Sequence, residues 1–332
     1  MSNAHPKPGP SRLIRRAPLV LGTTLLLSLS ISSYYLSPSK PSFGQTYTPA
    51  LLLSHTQPTP HTSLFRLRLL RPPKPGGPFY ALWVRSPVLQ IEREFTPLRG
   101  LEGKGDEVEL WVKREGEVAR YLAGRKVGDE IGVRGWSPGV QWEDQHWDEV
   151  IMISGGTGII PFYQLMDHLF LNPRSPTPPG SGKTKFTLLH AAPVPEELPP
   201  ASMLGPLGEL QRSQPDKFRL RLFVDSAPSG AREHLVGGAA LPLTVRRIQP
   251  YDIWLALGLS PPTQQTFFSR FRFRSVSPPA AKDPSRKVLF LVSGPEGMVQ
   301  AFAGPRARDL TEGQVGGVLG GMGYGRGEVR KL

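Results

Sequence analysis

The chain passes through three regimes of hydrophobic patterning. Between Ala17 and Ser39 no charged side chain interrupts a run whose core, PLVLGTTLLLSLSISSYYL, is 19 residues long. That is close to the roughly 20 needed to cross a bilayer. From the region after residue 60 to about 146, apolar and polar positions alternate with period two in short segments: TSLFRLRLL, FYALWVRS, EVELWVKR and GDEIGVRGW. Proline and glycine clusters such as RPPKPGGP (71–78) separate them. Short alternating strands with turn-rich joints predict a small antiparallel β-barrel or sandwich. From about residue 148 the period changes. DEVIMIS, KFTLLHA, FRLRLFV, YDIWLAL and KVLFLVS read as buried strands, and IIPFYQLMDHLF, ASMLGPLGELQRS and EGMVQAFAG read as helices between them. Strands alternating with helices predict an α/β domain with a parallel sheet. The expected organisation is a front segment over 1–40 with a transmembrane helix at about 18–36, a β-barrel domain over 41–146, and an α/β domain over 147–332.

Charge sharpens the front segment. The net charge is +13, yet the first acidic residue is Glu92. Ten Lys/Arg precede it, leaving 40 − 10 = 30 basic against 27 acidic residues in the remainder. The basic excess therefore belongs mostly to the front end, which argues against nucleic acid as a partner of the folded body. MSNAHPKPGPSRLIRR is basic and free of acids, as targeting segments are. Tyr34 and Tyr35 stand at the end of the apolar run, where interface aromatics belong, and Arg12, Arg15 and Arg16 place its start on the positive side. A cleaved secretory signal is the alternative reading. The chain has no cysteine, which excludes disulfides, cysteine-ligated zinc, iron–sulfur clusters and a thiol nucleophile.

Three short motifs carry candidate chemistry. In ISGGTGIIP (153–161), a strand runs into Gly155, Gly156, Thr157 and Gly158 and then a helix opening at Pro161. Backbone N–H groups at such a turn can hold a diphosphate; a plain tight turn has the same spelling. EREFTPLRG (92–100) places Arg93, Phe95, Thr96 and Pro97 at a strand end. An arginine can clamp a diphosphate by paired hydrogen bonds, a ring can pack on a planar cofactor, and a hydroxyl can reach a ring nitrogen. SGPEGM (293–298) follows the last strand run. SGKT (181–184) is not a P-loop, because Thr177 stands where its first glycine belongs. FFSRFRFRS (267–275) reads as a surface element, with an anionic-lipid or nucleic-acid patch as the alternative. His168 and His190 are expected to pack rather than bind a metal, and no metal site is expected.

In this order the three motifs resemble those of the ferredoxin–NADP reductase-like FAD flavoproteins, in the NADH–cytochrome b5 reductase branch, over about residues 60–305. QTYTPALLL, PVLQIEREFTPL, HAAPVPEELPP and the tail GQVGGVLGGMGYGRGEVRKL further resemble fungal mitochondrial flavoproteins that support haem attachment to cytochrome c. The resemblance implies an FAD domain followed by an NAD(P) domain. It implies that Arg93 holds the FAD diphosphate, Phe95 packs against the flavin or ribityl chain where relatives carry tyrosine, and Thr96 bonds flavin N5 beside Pro97. GEVARYL implies a second FAD segment through Gly116, Val118 and Ala119, with Ala119 replacing a serine and Lys113-x-Glu115 replacing a lysine-x-tyrosine. Gly155, Gly156, Thr157, Gly158 and Pro161 would take the diphosphate of NADH or NADPH, with Ile160 where threonine is common. Ser293, Gly294, Pro295, Glu296, Gly297 and Met298 would sit by the nicotinamide, Ser293 replacing a cysteine.

The implied activity is hydride transfer from the nicotinamide to FAD and electron delivery to haem or a haem protein, with Thr96 and Ser293 at the reacting centre. Cytochrome c or its haem-attachment machinery is the expected partner. The expected location is the mitochondrial inner membrane, with the body facing the intermembrane space. A cytochrome b5-type or quinone reductase, and a catalytically degenerate scaffold, are the alternatives.

Overall fold

The computed structural model describes residues 46–70, 77–98, 106–138, 147–172, 182–260, 282–307 and 311–332. The apolar run at 18–36 and FFSRFRFRS lie outside the described residues. Among the described residues no helix is long and apolar enough to cross a membrane.

The first half is antiparallel: β1 (Thr48–Thr59), β2 (Thr62–Arg68), β3 (Tyr80–Ser86), β4 (Ile91–Phe95), β5 (Glu107–Lys113) and β6 (Glu130–Pro138). They form one sheet in the order β4-β3-β6-β1-β2-β5. Leu98, just past β4, donates its N–H to the Glu109 carbonyl of β5 at 2.7 Å, so the two ends of the sheet meet. Alternation decides the inside. On β2, Phe65 and Leu67 point to the core while Arg66 and Arg68 reach outward to Glu107. Helix α1 (Glu117–Ala123) plugs this core with Val118, Ala119 and Leu122.

The second half holds β7 (Glu149–Gly155), β8 (Lys185–Ala192), β9 (Phe218–Val224), β10 (Glu233–Val236), β11 (Ala239–Val245), β12 (Val288–Ser293) and β13 (Val329–Lys331). Their order is β10-β11-β9-β8-β7-β12-β13, parallel except for the β10–β11 hairpin. Helices α2 (Ile160–Met166), α3 (Ala201–Ser213), α4 (Pro250–Ala256), α5 (Glu296–Ala303) and α6 (Gly317–Gly321) cover its faces. The central β7 is buried on both sides, which is why VIMIS carries no polar alternation. Successive strands leave β7 on one side toward β8 and β9, and on the other toward β12. That reversal opens a crevice at the carboxyl ends of β7 and β12.

YDIWLAL departs from the expected strand and forms α4. Pro250 starts the helix, and the Gln249 and Asp252 side chains make a capping box around its first turn. A local cap here outranks a short apolar run that fits either period. The tail beyond residue 305 folds onto the body. Lys331 is buried, and its ammonium donates to the carbonyls of Pro305 at 2.7 Å and Gln314 at 2.9 Å.

The two halves share a core. Phe79, Leu98 and Trp111 of the barrel pack into the apolar cluster that includes Ile159, Tyr163 and Met203. Gln164 of α2, also buried, stitches the seam. Its amide nitrogen donates to the carbonyls of Tyr80 at 3.1 Å and Pro97 at 2.9 Å, and its oxygen accepts from the Tyr80 N–H at 3.3 Å.

Candidate functional site

The crevice holds two adjoining cavities. The first, about 530 Å³, is lined by Arg93, Phe95 and Thr96 from the barrel and by Gly158, Pro161, Ser293 and Gly294 from the sheet. The second, about 560 Å³, is lined by Ala191, Asp225, Arg247, Gly297 and Met298 among others. Gly155, Gly156, Thr157, Pro295, Trp111 and Lys113 line both. Neither half of the protein builds this site alone.

Arg93 is the exposed barrel cation at the mouth of the first cavity. Its guanidinium donates to the Glu115 carbonyl at 3.3 Å, directly before α1. Gly116 has φ +84°, and a Cβ placed there would lie 2.9 Å from the Arg93 Nη1. The first intrahelical bond of α1 is Arg120 N–H to Gly116 O, so the amides of Glu117, Val118 and Ala119 lie ahead of it as donors. A guanidinium beside such amides fits an anion such as a diphosphate.

On the sheet side, close approach explains the glycines. Gly156 takes φ +54°, and a 3₁₀ turn over Gly156–Ile159 joins β7 to α2. A Cβ on Gly158 would sit 2.5 Å from the Ser293 carbonyl oxygen and 2.7 Å from the Gly294 Cα. A Cβ on Gly155 would sit 2.8 Å from the Met298 sulfur. Gly158 is therefore packed on the Ser293–Gly294 backbone, and Gly155 on the Met298 and Pro295 side chains. Ser293 is opposite Ser154 in the β7–β12 register and is itself buried.

Some expected contributors lie elsewhere. Val118 and Ala119 do not offer side chains to the crevice; both are sealed in the barrel core. A serine hydroxyl would be out of place at a position filled by apolar neighbours, and only the backbone of this turn remains available. Pro97 is buried and serves through its carbonyl, the acceptor for Gln164. Glu296 is exposed and lies 3.7 Å from Arg306, outside both cavity walls. Lys113 and Glu115 pair with each other at 2.6 Å.

Other residues were not singled out by motif. Trp111 is only 2% exposed, lines both cavities, and its indole nitrogen has no hydrogen-bond partner. Nothing in the alternation of β5 distinguishes it from a core residue. Arg306 and Leu332 bring the tail to the first cavity, where Arg306 bonds the Leu332 oxygen. Asp225 projects at the second cavity and pairs with Arg247 at 3.1 Å. The segment carrying Arg247 is anchored by buried Asp252, which accepts from Arg246 at 2.6 and 2.8 Å and from the Gln249 amide, with Arg221 at 3.3 Å. Burial alone would raise the Asp252 pKa; these donors and charges hold it below the ordinary carboxylate value. His190, beneath the glycine turn, bonds Ser154 through Nδ1 at 2.9 Å. Complete burial pushes its pKa down to about 3, so it is neutral. No cluster of metal ligands occurs among the described residues.

No protein-family model matches the chain. It is 27% identical over 242 residues to NADH-cytochrome b5 reductase 2 of Coccidioides immitis, covering 72% of this chain and 61% of that protein. It is 26% identical over 244 residues to the protein of that name from Kluyveromyces lactis, covering 73% and 67%. The chain thus spans less than two thirds of the Coccidioides relative. Among solved structures, a ferredoxin NADP⁺ reductase from Neisseria gonorrhoeae with bound FAD and NADP aligns with a TM-score of 0.58 at 16% identity, covering 86% of this chain and 98% of that one. The cytochrome b5 reductase domain of Ulva prolifera nitrate reductase aligns with a TM-score of 0.57 at 19% identity, covering 88% and 100%.

Proposed function

We propose that this chain, which has the ferredoxin–NADP reductase-like fold, is an FAD-dependent NADH oxidoreductase that passes electrons to a haem protein. One observation carries the reading. Two cavities of ligand size meet along a shared wall, one built from the Arg93–Thr96 segment and the other from the β9 side of the sheet. The cradle fits the two dinucleotides. Arg93 with the α1 amides would hold the FAD diphosphate, and Phe95 and Thr96 would border the flavin. The Gly155–Gly158 turn would hold the second diphosphate, and Ser293 and Gly294 would place the nicotinamide. FAD would supply the conversion of a two-electron donor into single-electron deliveries. The protein's own part is to bind both groups, orient them across the seam stitched by Gln164, and exclude water. Asp225 supports NADH over NADPH: a carboxylate accepts from ribose hydroxyls and repels a 2′-phosphate.

The finer reading has the chain held in the mitochondrial inner membrane by residues 18–36, with the body in the intermembrane space keeping haem ferrous for attachment to cytochrome c. The uncharged run after Arg16 and the motifs shared with fungal haem-attachment flavoproteins support it.

The test is spectroscopic. Protein purified in detergent should carry a visible flavin band that bleaches on anaerobic addition of NADH. Cytochrome c, cytochrome b5, free haem and a quinone are then compared as oxidants of the reduced protein. Colourless protein, or a flavin that NADH does not bleach, refutes the enzyme. Fast reoxidation by the quinone alone refutes the haem-protein acceptor.

A further inference from the structure

Among the described residues, exposed apolar side chains gather at one end of the barrel. Leu51 of β1 pairs with Glu130, and Gly132 of the same strand pairs with Arg85, which sets Leu51 level with the turn that follows β3. That turn, Pro87–Gln90, carries Val88 at 83% exposure and Leu89 at 48%, with Ile91 beside them. Leu70 leaves β2 at this end, because Arg68 pairs with Leu51. The loop after α1 arrives here too: Gly128 donates to the Leu52 carbonyl at 2.8 Å, presenting Val127 at 65% exposure. These six side chains come from four separate segments. No core requirement places them there, and a grouped exposed apolar surface marks a contact.

Charge around the patch is mixed. Arg68, Arg85, Arg125 and Lys126 stand at its margin, against Glu107, Asp129 and Glu130. Arg68 pairs with Glu107 at 2.9 Å, and Arg125 lies 3.8 Å from Asp129. The balance favours an apolar contact rather than one led by opposite charge.

The length of chain before β1 argues the occupant. Tyr47, one residue before β1 and four before Leu51, reaches the base of the same turn through its side chain. Its hydroxyl bonds Glu92, Arg85 lies over its ring at 5.3 Å, and Arg134 donates to its oxygen at 3.2 Å. Arg85 and Glu92 are the ladder pair next to Ser86 and Ile91, where the turn begins. The apolar core of the uncharged run ends at Leu36, eleven residues earlier, a span of at most about 40 Å when extended. Resting on the membrane-anchored reading above, we infer that this barrel end lies on the bilayer surface, with the Val88 turn and Val127 loop dipping into the headgroup region. Its chemistry is that of an interfacial apolar patch with a rim of mixed charge. The cofactor crevice stays open, because Thr96, just past the end of β4, is five residues from Ile91, roughly 16 Å away.

The absence of cysteine makes the test direct. Val88→Cys, Val127→Cys and, as control, Leu235→Cys on the far β10 edge (75% exposed) are labelled with an environment-sensitive fluorophore in the full chain. Each is reconstituted into phosphatidylcholine vesicles containing nitroxide lipids. Flotation reports anchoring, and quenching reports contact. The expected result is co-flotation of all three, with blue-shifted, nitroxide-quenched emission at 88 and 127 and unquenched emission at 235. Co-flotation with 88 and 127 behaving like 235 overturns the surface and leaves the anchor standing. A blue shift without quenching means that protein or a second copy covers the patch, and overturns it. Failure to float overturns anchor and surface together.

Discussion

Gln164→Leu tests the seam between the halves. Leucine keeps the volume of the buried side chain and deletes three hydrogen bonds, at 2.9, 3.1 and 3.3 Å. Each contributes about 0.5–1.5 kcal/mol net, the longest least, and a buried carbonyl left unpaired costs about 1–3 kcal/mol. The Pro97 carbonyl is such a group, so the expected loss is about 2–3 kcal/mol, or roughly 3–4 °C in Tm at about 2.1 cal/mol/K of unfolding entropy per residue. The functional consequence is separable. Arg93 and α1 both belong to the barrel, so flavin occupancy should hold. Thr96 precedes Pro97, so its position relative to the Gly155–Gly158 turn loosens, and a shift near 1 Å can slow reaction by about 100-fold. Urea melts, the flavin-to-protein absorbance ratio and stopped-flow reduction by NADH measure the three effects. Wild-type stability with a wild-type reduction rate would refute the seam. Loss of flavin in step with loss of stability would show instead that Gln164 supports the barrel.

Further outcomes are expected at four places in the structure. Gly158→Ala forces a Cβ to 2.5 Å from the Ser293 oxygen and should cost about 1–3 kcal/mol with a raised KM for NADH; Gly156→Ala, with nothing within 4 Å but φ +54°, should cost only about 1 kcal/mol in a denaturant melt. Asp252→Ala leaves Arg246 and Arg221 without their shared anion and should destabilise by about 3 kcal/mol, read by the same melt. Asp225→Ala frees Arg247 and should raise the NADPH-to-NADH ratio of kcat/KM about tenfold, or about 1.4 kcal/mol. His190 has a folded pKa of about 3 against an ordinary 6.5. Below 6.5 the unfolded chain binds a proton that the folded chain refuses, so stability falls with falling pH by up to about 1.4 kcal/mol per unit. Melts at successive pH values should show His190→Phe with a shallower slope than wild type.

Much of the plan was legible in the linear pattern. Period-two alternation at TSLFRLRLL and unbroken apolar runs at VIMIS separate a one-sided barrel sheet from a sheet buried on both faces, because burial on one face or two is written directly into side-chain order. The glycine turn was legible as a diphosphate cradle or a tight turn, but not that Gly158 presses on the Ser293 backbone and Gly155 on the Met298 sulfur. YDIWLAL was ambiguous because seven apolar-rich residues fit both periods, and a cap of two polar side chains decided for helix. Val118 and Ala119 stood in a motif yet fill the barrel, since a short helix buries one face and motif order does not say which. Trp111 and Gln164 carried no signal at all: each earns its place through a partner far away in sequence, across a domain seam. The residues of the crevice were set by the sequence alone. Their convergence came from the strand order around β7, from Leu98 closing the barrel, and from Gln164 joining the halves, and those contacts exist only once the chain is folded.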